Sequence, residues 1–437
     1  MVWLSTCPPN ANYSSSIVSV LSSYPTRRSS KTHSVLLWAT KSSRPKMSSD
    51  SLPPLPQNRI VVGCGGVGLD FLAAVASYPN PDDKIRSTSL KVQGGGNAGN
   101  ALTCAARLGL NPRIISKIAD DLQGKGILEE FEADGVNTSF LVVSKEGNSP
   151  FTYVIVDNQT KTRTCIHTPG YPPMIPDDIS QWNLLSALNG VRIAYFDGRL
   201  TETAIVLAQE ELNSIYLILP EQAARKKIPI FIDLERKREG LDDLLKLADY
   251  AACSAKFPQA KVINMGNILS QAWTEAPSIP SALVSMLLRL PNMKFVIVTL
   301  GEGGCIMLER SENEGPESEE TDVDSLFELL KQRKDDSVPF PTCVSSLVTK
   351  LRANGIGTVS GRLFVGTAEK IPPSELIDTT GAGDAFIGAI LYAICANVAP
   401  EKMLPFAAQV AAIGCRALGA RTGLPQRTDP RLASFWQ

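Results

Sequence analysis

Apolar residues recur along residues 58–437 with two different periods, and the two periods predict two kinds of sheet. Residues 59–64 (RIVVGC) form a short, mainly apolar run ending in glycines, the pattern of a buried strand feeding a loop. Residues 191–196, 228–233, 250–253 and 295–300 repeat it between stretches of helical character. Strands alternating with helices predict a parallel sheet with helices on both faces. Residues 100–108 and 124–133 read as helices. Residues 383–396 and 401–418, small and apolar on nearly all sides, predict buried ones. Residues 88–92 and 151–166 instead alternate polar and apolar positions, with Asp157-Asn158 marking a hairpin turn. Half-exposed strands do not fit the centre of a parallel sheet. They predict a separate small sheet, a lid, within about residues 84–96 and 148–170.

Two polar segments break these patterns. Residues 309–324 carry eight acidic residues in sixteen, and a Lys- and Asp-rich stretch follows. GGCIMLE before and RLFVG after both read as sheet, so about 310–360 is expected to be a solvated, mobile insertion between two strands. Residues 1–49 hold 14 serines and six Lys or Arg but no Asp or Glu. Basic, serine-rich, acid-free composition is the signature of a disordered organelle transit peptide, and its serine dominance points to the chloroplast. Residues 50–57 are a proline-broken linker into the folded domain, 58–437. A start at Met47 would give a cytosolic form.

Composition narrows the function. Lys plus Arg is 43 and Asp plus Glu is 44, a net charge of -1, which argues against neutralising the phosphates of a nucleic acid. The longest uncharged apolar run, about 16 residues from 385 to 400, contains Asn397 and is too short for a membrane span. Nine cysteines stand singly with no C-x-x-C, which predicts buried thiols in a reducing compartment. With only His33 and His167 present, a His-rich zinc site is excluded, and with His33 in a removable leader only His167 is left for a Ser-His-Asp or Cys-His pair.

Three glycine clusters carry the candidate chemistry. Gly63-Cys-Gly65-Gly66-Val-Gly68 is a literal G-x-G-x-x-G after a strand, the dinucleotide pattern. A dinucleotide unit needs a second apolar strand ending in an acid about 20 residues on. This chain instead meets Pro79 and Pro81 and then an alternating segment. The other use of the loop is to bring Asp70 to a strand's carboxyl end. Gln93-Gly-Gly95-Gly96-Asn-Ala-Gly-Asn100 precedes a helix and permits a close ligand approach, with Asn100 offering a donor and an acceptor to hydroxyls. Asp378-Thr-Thr-Gly381-Ala382-Gly383-Asp384 opens a buried helix, where uncovered N–H groups and the helix dipole favour an anion. Asp384 stands there as a general base, or else Asp384 or Asp378 is a plain helix cap.

GGGNAGN before an ARLG helix and DTTGAGDAF near the carboxyl end together resemble the ribokinase-like (PfkB) carbohydrate kinases, over about residues 58–430. DDLQGKGILEEFEADGVNTSFL and TLGEGG match in order. The resemblance implies a three-layer α/β/α sandwich with a central, mostly parallel sheet and a small β lid. It also implies phosphorylation of a sugar hydroxyl from ATP with Mg2+, and a homodimer through the lid. By position it makes Asp384 the catalytic base, Gly381, Ala382 and Gly383 the anion hole, and Asp70, Gly95, Gly96 and Asn100 the sugar contacts. Thr299, Gly301 and Gly304 fall on the ATP side. Where the family often has N-x-x-E, this chain reads Ala252-Cys-Ser-Ala-Lys256, so no metal ligand is assigned. FDGR (196–199) and DLERKRE (233–239) resemble the ketohexokinase-like branch, which also lacks that motif and implies a ketohexose such as fructose.

Two rival readings remain: an inactive plastid scaffold of the same family, and an NAD(P)-dependent oxidoreductase at Gly63–Gly68. Removing residues 1–49 is expected to abolish organelle import and leave activity and melting temperature unchanged. Import of the truncated chain, or its failure to fold, would show that the leader is part of the domain.

Overall fold

The structure, a computed structural model, describes residue 52 and residues 54–217, 227–258, 273–312, 320–335 and 337–436, with the backbone alone for 211–217. The leader, its Met47 and part of the acidic stretch, 313–319, lie outside the described residues. In chain order the elements are β1 (Ile60–Cys64), β2 (Gly68–Val75), β3 (Ser89–Gly95), α1 (Asn97–Arg107), β4 (Asn111–Ala119), α2 (Leu122–Ala133), β5 (Leu141–Ser144), β6 (Phe151–Asp157), β7 (Arg163–Thr168), α3 (Gln181–Leu188), β8 (Ile193–Phe196), α4 (Thr201–Leu217) and β9 (Ile230–Leu234). Then follow α5 (Leu241–Lys246), β10 (Tyr250–Ser254), α6 (Ile279–Arg289), β11 (Phe295–Thr299), β12 (Cys305–Arg310), β13 (Glu320–Asp322), α7 (Val323–Gln332), β14 (Cys343–Ser345), β15 (Thr349–Ala353), β16 (Gly357–Gly366), α8 (Ala382–Cys395) and α9 (Pro400–Gly414).

The strands make one large sheet, ordered β13-β15-β16-β12-β11-β10-β9-β8-β1-β4-β5 with β14 beside β16, and a four-stranded sheet ordered β3-β2-β6-β7. From β5 to β11 the large sheet is parallel throughout. Its central strands β1, β8, β9, β10 and β11 are mostly apolar and buried because both faces are covered, which is why they read as nearly continuous apolar runs. Val61, Ile114, Tyr195 and Phe231 point into a core shared with α1, α8 and α9. Their neighbours Val62, Ile115, Phe196 and Ile232 point into a second core with α3, α5 and α6. Strand periodicity thus builds the three layers directly.

The small sheet is the expected lid, with one strand more than the alternation pattern marked. The chain leaves the Gly63–Gly68 loop directly into β2, which pairs with β3 and β6, so Asp70 lies inside a lid strand and not at the carboxyl end of a central one. No helix opens after that loop. A dinucleotide pyrophosphate needs the helix N-terminus there, so the oxidoreductase reading falls. Leu72, Ala74, Val154 and Val156 form the lid's own core. On its opposite face Val92, Phe71, Tyr153 and Ile166 stand side by side in register, and Val92, Tyr153 and Ile166 are exposed.

The described part of the 310–360 insertion is not the expected solvated loop. It contributes β13, α7, β14 and β15: β14 and β15 pair antiparallel with β16, and β13 pairs parallel with β15 at the sheet edge. Val323, Leu330, Leu351 and Ala353 are buried in the second core. The Ser281 hydroxyl at the start of α6 donates to Asp324 Oδ2 at 2.8 Å. Acidic composition hid an amphipathic helix whose sparse apolar side is anchored by buried Val323 and Leu330, with Leu326 and Phe327 packed at its edge. The thiols are buried as expected, with Cys165 on β7 exposed and Cys343 half-buried among the described residues. Leu330→Ala should therefore lower unfolding free energy by about 2–5 kcal/mol, the usual range for a buried leucine. A urea midpoint equal to that of the wild type would show that α7 does not pack on the core.

Candidate functional site

Ligands of open parallel sheets bind beyond the carboxyl ends of the strands. Here those ends are aligned by register: Cys64 with Phe196, Phe196 with Ile232, Leu234 with Cys253, and Ser254 with Thr299. Residues just past these ends, with the start of α8, make up the candidate site.

Helix α8 begins at Gly381, which caps it with φ 74° and no side-chain bond. A Cβ at Gly381 would fall 2.4 Å from Ala420 Cβ, so conformation and space both demand glycine. The cap reading therefore fails for both acids. Asp378 is buried beneath the loop, where Oδ1 accepts from the Thr380 N–H (2.9 Å) and hydroxyl (2.7 Å) and Oδ2 from the Gly419 N–H (2.8 Å). It anchors the loop to the chain after α9. Among the described residues the N–H groups of Gly381, Gly383 and Asp384 meet no acceptor, whereas that of Ala382 donates to Thr379 O at 3.2 Å. Gly383 is exposed with open space before it. Uncovered donors at a helix N-terminus make a cradle for an anion.

Asp384, third in the helix, points back into the cleft, where Oδ2 accepts from Asn100 Nδ2 at 2.8 Å. Burial pushes its carboxyl up to about 7; the Asn100 bond opposes this, Glu235 adds to it, and Arg163 and Arg199 oppose it. A carboxylate that changes protonation near neutrality, beside an anion cradle, is fitted to take a proton from a hydroxyl.

The other sequence-marked groups gather on the lid side of Asp384. Burial raises the Asp70 carboxyl to about 6, against the pull of Arg421 and the Thr152 hydroxyl. Its carboxylate lies against Gly95, where a Cβ would fall 2.3 Å from it. Gly96, at φ 84°, lets the chain turn from β3 into α1 directly over the Gly66 carbonyl. From β7, Arg163 donates to the Thr379 hydroxyl at 3.2 Å and so joins the lid to the α8 loop. His167 shares a 3.1 Å bond with Thr152 Oγ1 on the lid and builds no Ser-His-Asp triad.

Thr299, Gly301 and Gly304 lie apart from this group, at the end of β11. Thr299 Oγ1 donates to Cys253 O at 3.3 Å. Gly301 (φ 62°) faces open space, and Gly304 (φ 87°) packs on the Gly366 carbonyl. Three strand spacings separate β8 from β11, about 14 Å, a span suited to an extended nucleotide. Among the described residues no three acidic, His or Cys side chains come together as a metal cage. Magnesium held by one or two carboxylates and nucleotide phosphates needs no such cage.

Three residues here escaped the sequence reading. Asp197 is buried and accepts from the N–H groups of Gly66 (2.7 Å), Arg199 (3.0 Å) and Ala98 (3.2 Å), which locks the first two glycine loops to β8. Arg199 bridges Asn97 Oδ1 and Glu235 Oε2, both at 2.9 Å. Arg421, fully buried, donates through Nε to Asn100 Oδ1 at 3.0 Å. FDGR was noticed only as a likeness. A single arginine within the small-residue run ALGARTG was the available signal for Arg421.

Comparison with known proteins finds relatives along most of the chain. Residues 64–325 and 341–427 match the family described as pfkB family carbohydrate kinase. Mouse ribokinase is 21% identical over 86% of this chain and 94% of its own length. Mouse ketohexokinase is 21% identical over 83% of this chain and 98% of its own. The structure of Arabidopsis thaliana ribokinase complexed with ribose and ATP aligns with a TM-score of 0.55 at 17% identity, covering 88% of this chain and 99% of that one.

Proposed function

Because the chain belongs to the pfkB family of carbohydrate kinases, we propose that it transfers the γ-phosphoryl group of ATP to a hydroxyl of a ketohexose or related sugar, with Asp384 as the base. The observation that carries this is Asp384 itself: a desolvated carboxylate at the start of α8, hydrogen-bonded to Asn100 and next to uncovered N–H groups.

Phosphoryl transfer is mostly positioning and charge stabilisation. Asp70 and Asn100 hold the sugar's hydroxyls, with the backbone at Gly95 and Gly96 close beneath. Asp384 accepts the proton of the attacking hydroxyl as its oxygen bonds to phosphorus. The N–H groups of Gly381 and Gly383, joined by Ala382 if its bond to Thr379 opens, receive the charge on the transferred group. Thr299, Gly301 and Gly304 seat the nucleotide. Magnesium, bound with the ATP, neutralises phosphate charge.

The ketohexose is supported by Asp197 and Arg199 of FDGR, which sit against the Asn97–Asn100 turn, and by the match to a ketohexokinase. The exposed row Val92, Tyr153 and Ile166 supports a homodimer closing through the lid. Sedimentation of the full chain reads that directly, and a monomer throughout would remove it. The serine-rich, acid-free leader supports a chloroplast form, with a cytosolic form from Met47.

A panel of fructose, ribose and nucleosides with ATP and Mg2+ should give sugar-dependent ADP release, strongest with fructose. With the accepted sugar, kcat/KM should fall as the pH drops through about 7, because only the deprotonated Asp384 accepts a proton. ADP release with none of these compounds would leave the inactive scaffold as the better reading.

A further inference from the structure

The buried arginine behind the cleft has a geometry that its burial alone does not explain. Arg421 donates through Nε to Asn100 Oδ1 (3.0 Å) and through Nη2 to the Gly95 carbonyl (3.0 Å). Its Nη1 reaches Glu130 Oε2 at 3.4 Å, and that same oxygen accepts the Gly94 N–H at 2.7 Å. The guanidinium lies over Phe131 of α2, 4.8 Å from the ring centre. Two glycines of the GGGNAG stretch exist to admit it. A Cβ at Gly94 would fall 2.1 Å from Nη1, and one at Gly99 would fall 2.5 Å from Nη2. The glycine-rich loop is therefore also a socket for a side chain from the far end of the sequence.

An asparagine amide has one accepting and one donating end, and a guanidinium has only donors. With Arg421 on one side, the Asn100 oxygen must face the arginine, and the NH2 group is left facing Asp384. Released from Arg421, the amide could turn its oxygen to the carboxylate. Gly95 and Gly96 are also the joint between the lid strand β3 and helix α1, so the same guanidinium ties that joint to the amide.

We propose that Arg421 is the positioning residue of the phosphoryl-transfer site: it fixes the Asn100 amide so that its NH2 group faces Asp384, and couples that orientation to the lid joint. This rests on Asp384 as the base, and it adds the group that sets how readily the base is deprotonated. Asp384 is also faced by Glu235 and Asp233 at and beyond the end of β9, Tyr195 of β8, Arg199 after it, Arg163 of β7 and Cys104 of α1. Arg421 itself does not touch Asp384 in this arrangement; its influence runs through Asn100.

The test is carbon-13 NMR titration of the Asp384 carboxyl in the ligand-free full chain, with the signal assigned by its loss in Asp384→Asn. Arg421→Met should move the midpoint up by about one pH unit, the shift produced by losing one hydrogen bond to the charged form. The acid limb of kcat/KM, measured with fructose and ATP, should move with it. In an Asn100→Ala background Arg421→Met should cause no further shift. If Arg421→Met does not fold, Gly99→Ala, which displaces Nη2 while keeping the charge, should give the same upward shift. An unmoved midpoint in a folded variant overturns the proposal, as does an equal shift in the Asn100→Ala background, which would mean that the arginine acts by charge alone. The titration needs no substrate, so a failure of Asp384 as base would show separately, as an active Asp384→Asn enzyme.

Discussion

A carboxylate withdrawn from water is costly unless hydrogen-bond donors or opposite charge compensate it, and Asp384 is the group whose burial organises this site. It receives one side-chain hydrogen bond, from Asn100, and is aimed by a helix whose first residues are too small to block it. Partial compensation is the useful condition. A fully paired aspartate would be a permanent anion too weak to take a proton, and an uncompensated one would stay protonated.

Much of the remaining structure holds that carboxylate and its donor in place. The packing of α1 against α8 brings Asn100 to Asp384, the two being separated by most of the chain. Asp378 and Gly381 fix the loop that starts α8, and the segment after α9 closes over it through Gly419, Ala420 and Arg421. Asp197 ties the first turn of α1 to the end of β8. The lid supplies Asp70 from β2, which leaves the first glycine loop and pairs antiparallel with β3, the strand that runs into the second. Both glycine loops are glycine-rich because carboxylates and a guanidinium occupy the space that side chains would take.

The sequence disclosed whatever repeats locally. Continuous apolar runs marked β1, β8, β9, β10 and β11 within one or two residues, and alternation marked the lid hairpin through Asp157. The two motifs that carry Asn100 and Asp384 were legible because glycines and an acid at a helix start have few uses. Strand β2 was missed because GLDFLAAV lacks alternation and follows a glycine loop that suggested a turn. The 320–360 strands were missed because acidic composition outweighed three or four apolar positions whose partners lie far away in sequence. Arg421 was missed for the same reason: its meaning depends on Gly94, Gly99 and Asn100, more than 300 residues earlier, and no local pattern reports such a pairing.

The most direct measurement is kcat for Asp384→Asn, with ATP affinity and melting temperature taken on the same preparation. Asparagine keeps the shape of the side chain but cannot accept the hydroxyl proton. Base catalysis contributes about 10²–10⁴-fold in rate, so kcat should fall by that order while ATP affinity and melting temperature stay near those of the wild type. A well-folded Asp384→Asn enzyme with kcat close to the wild-type value would contradict the assignment of Asp384 as the base.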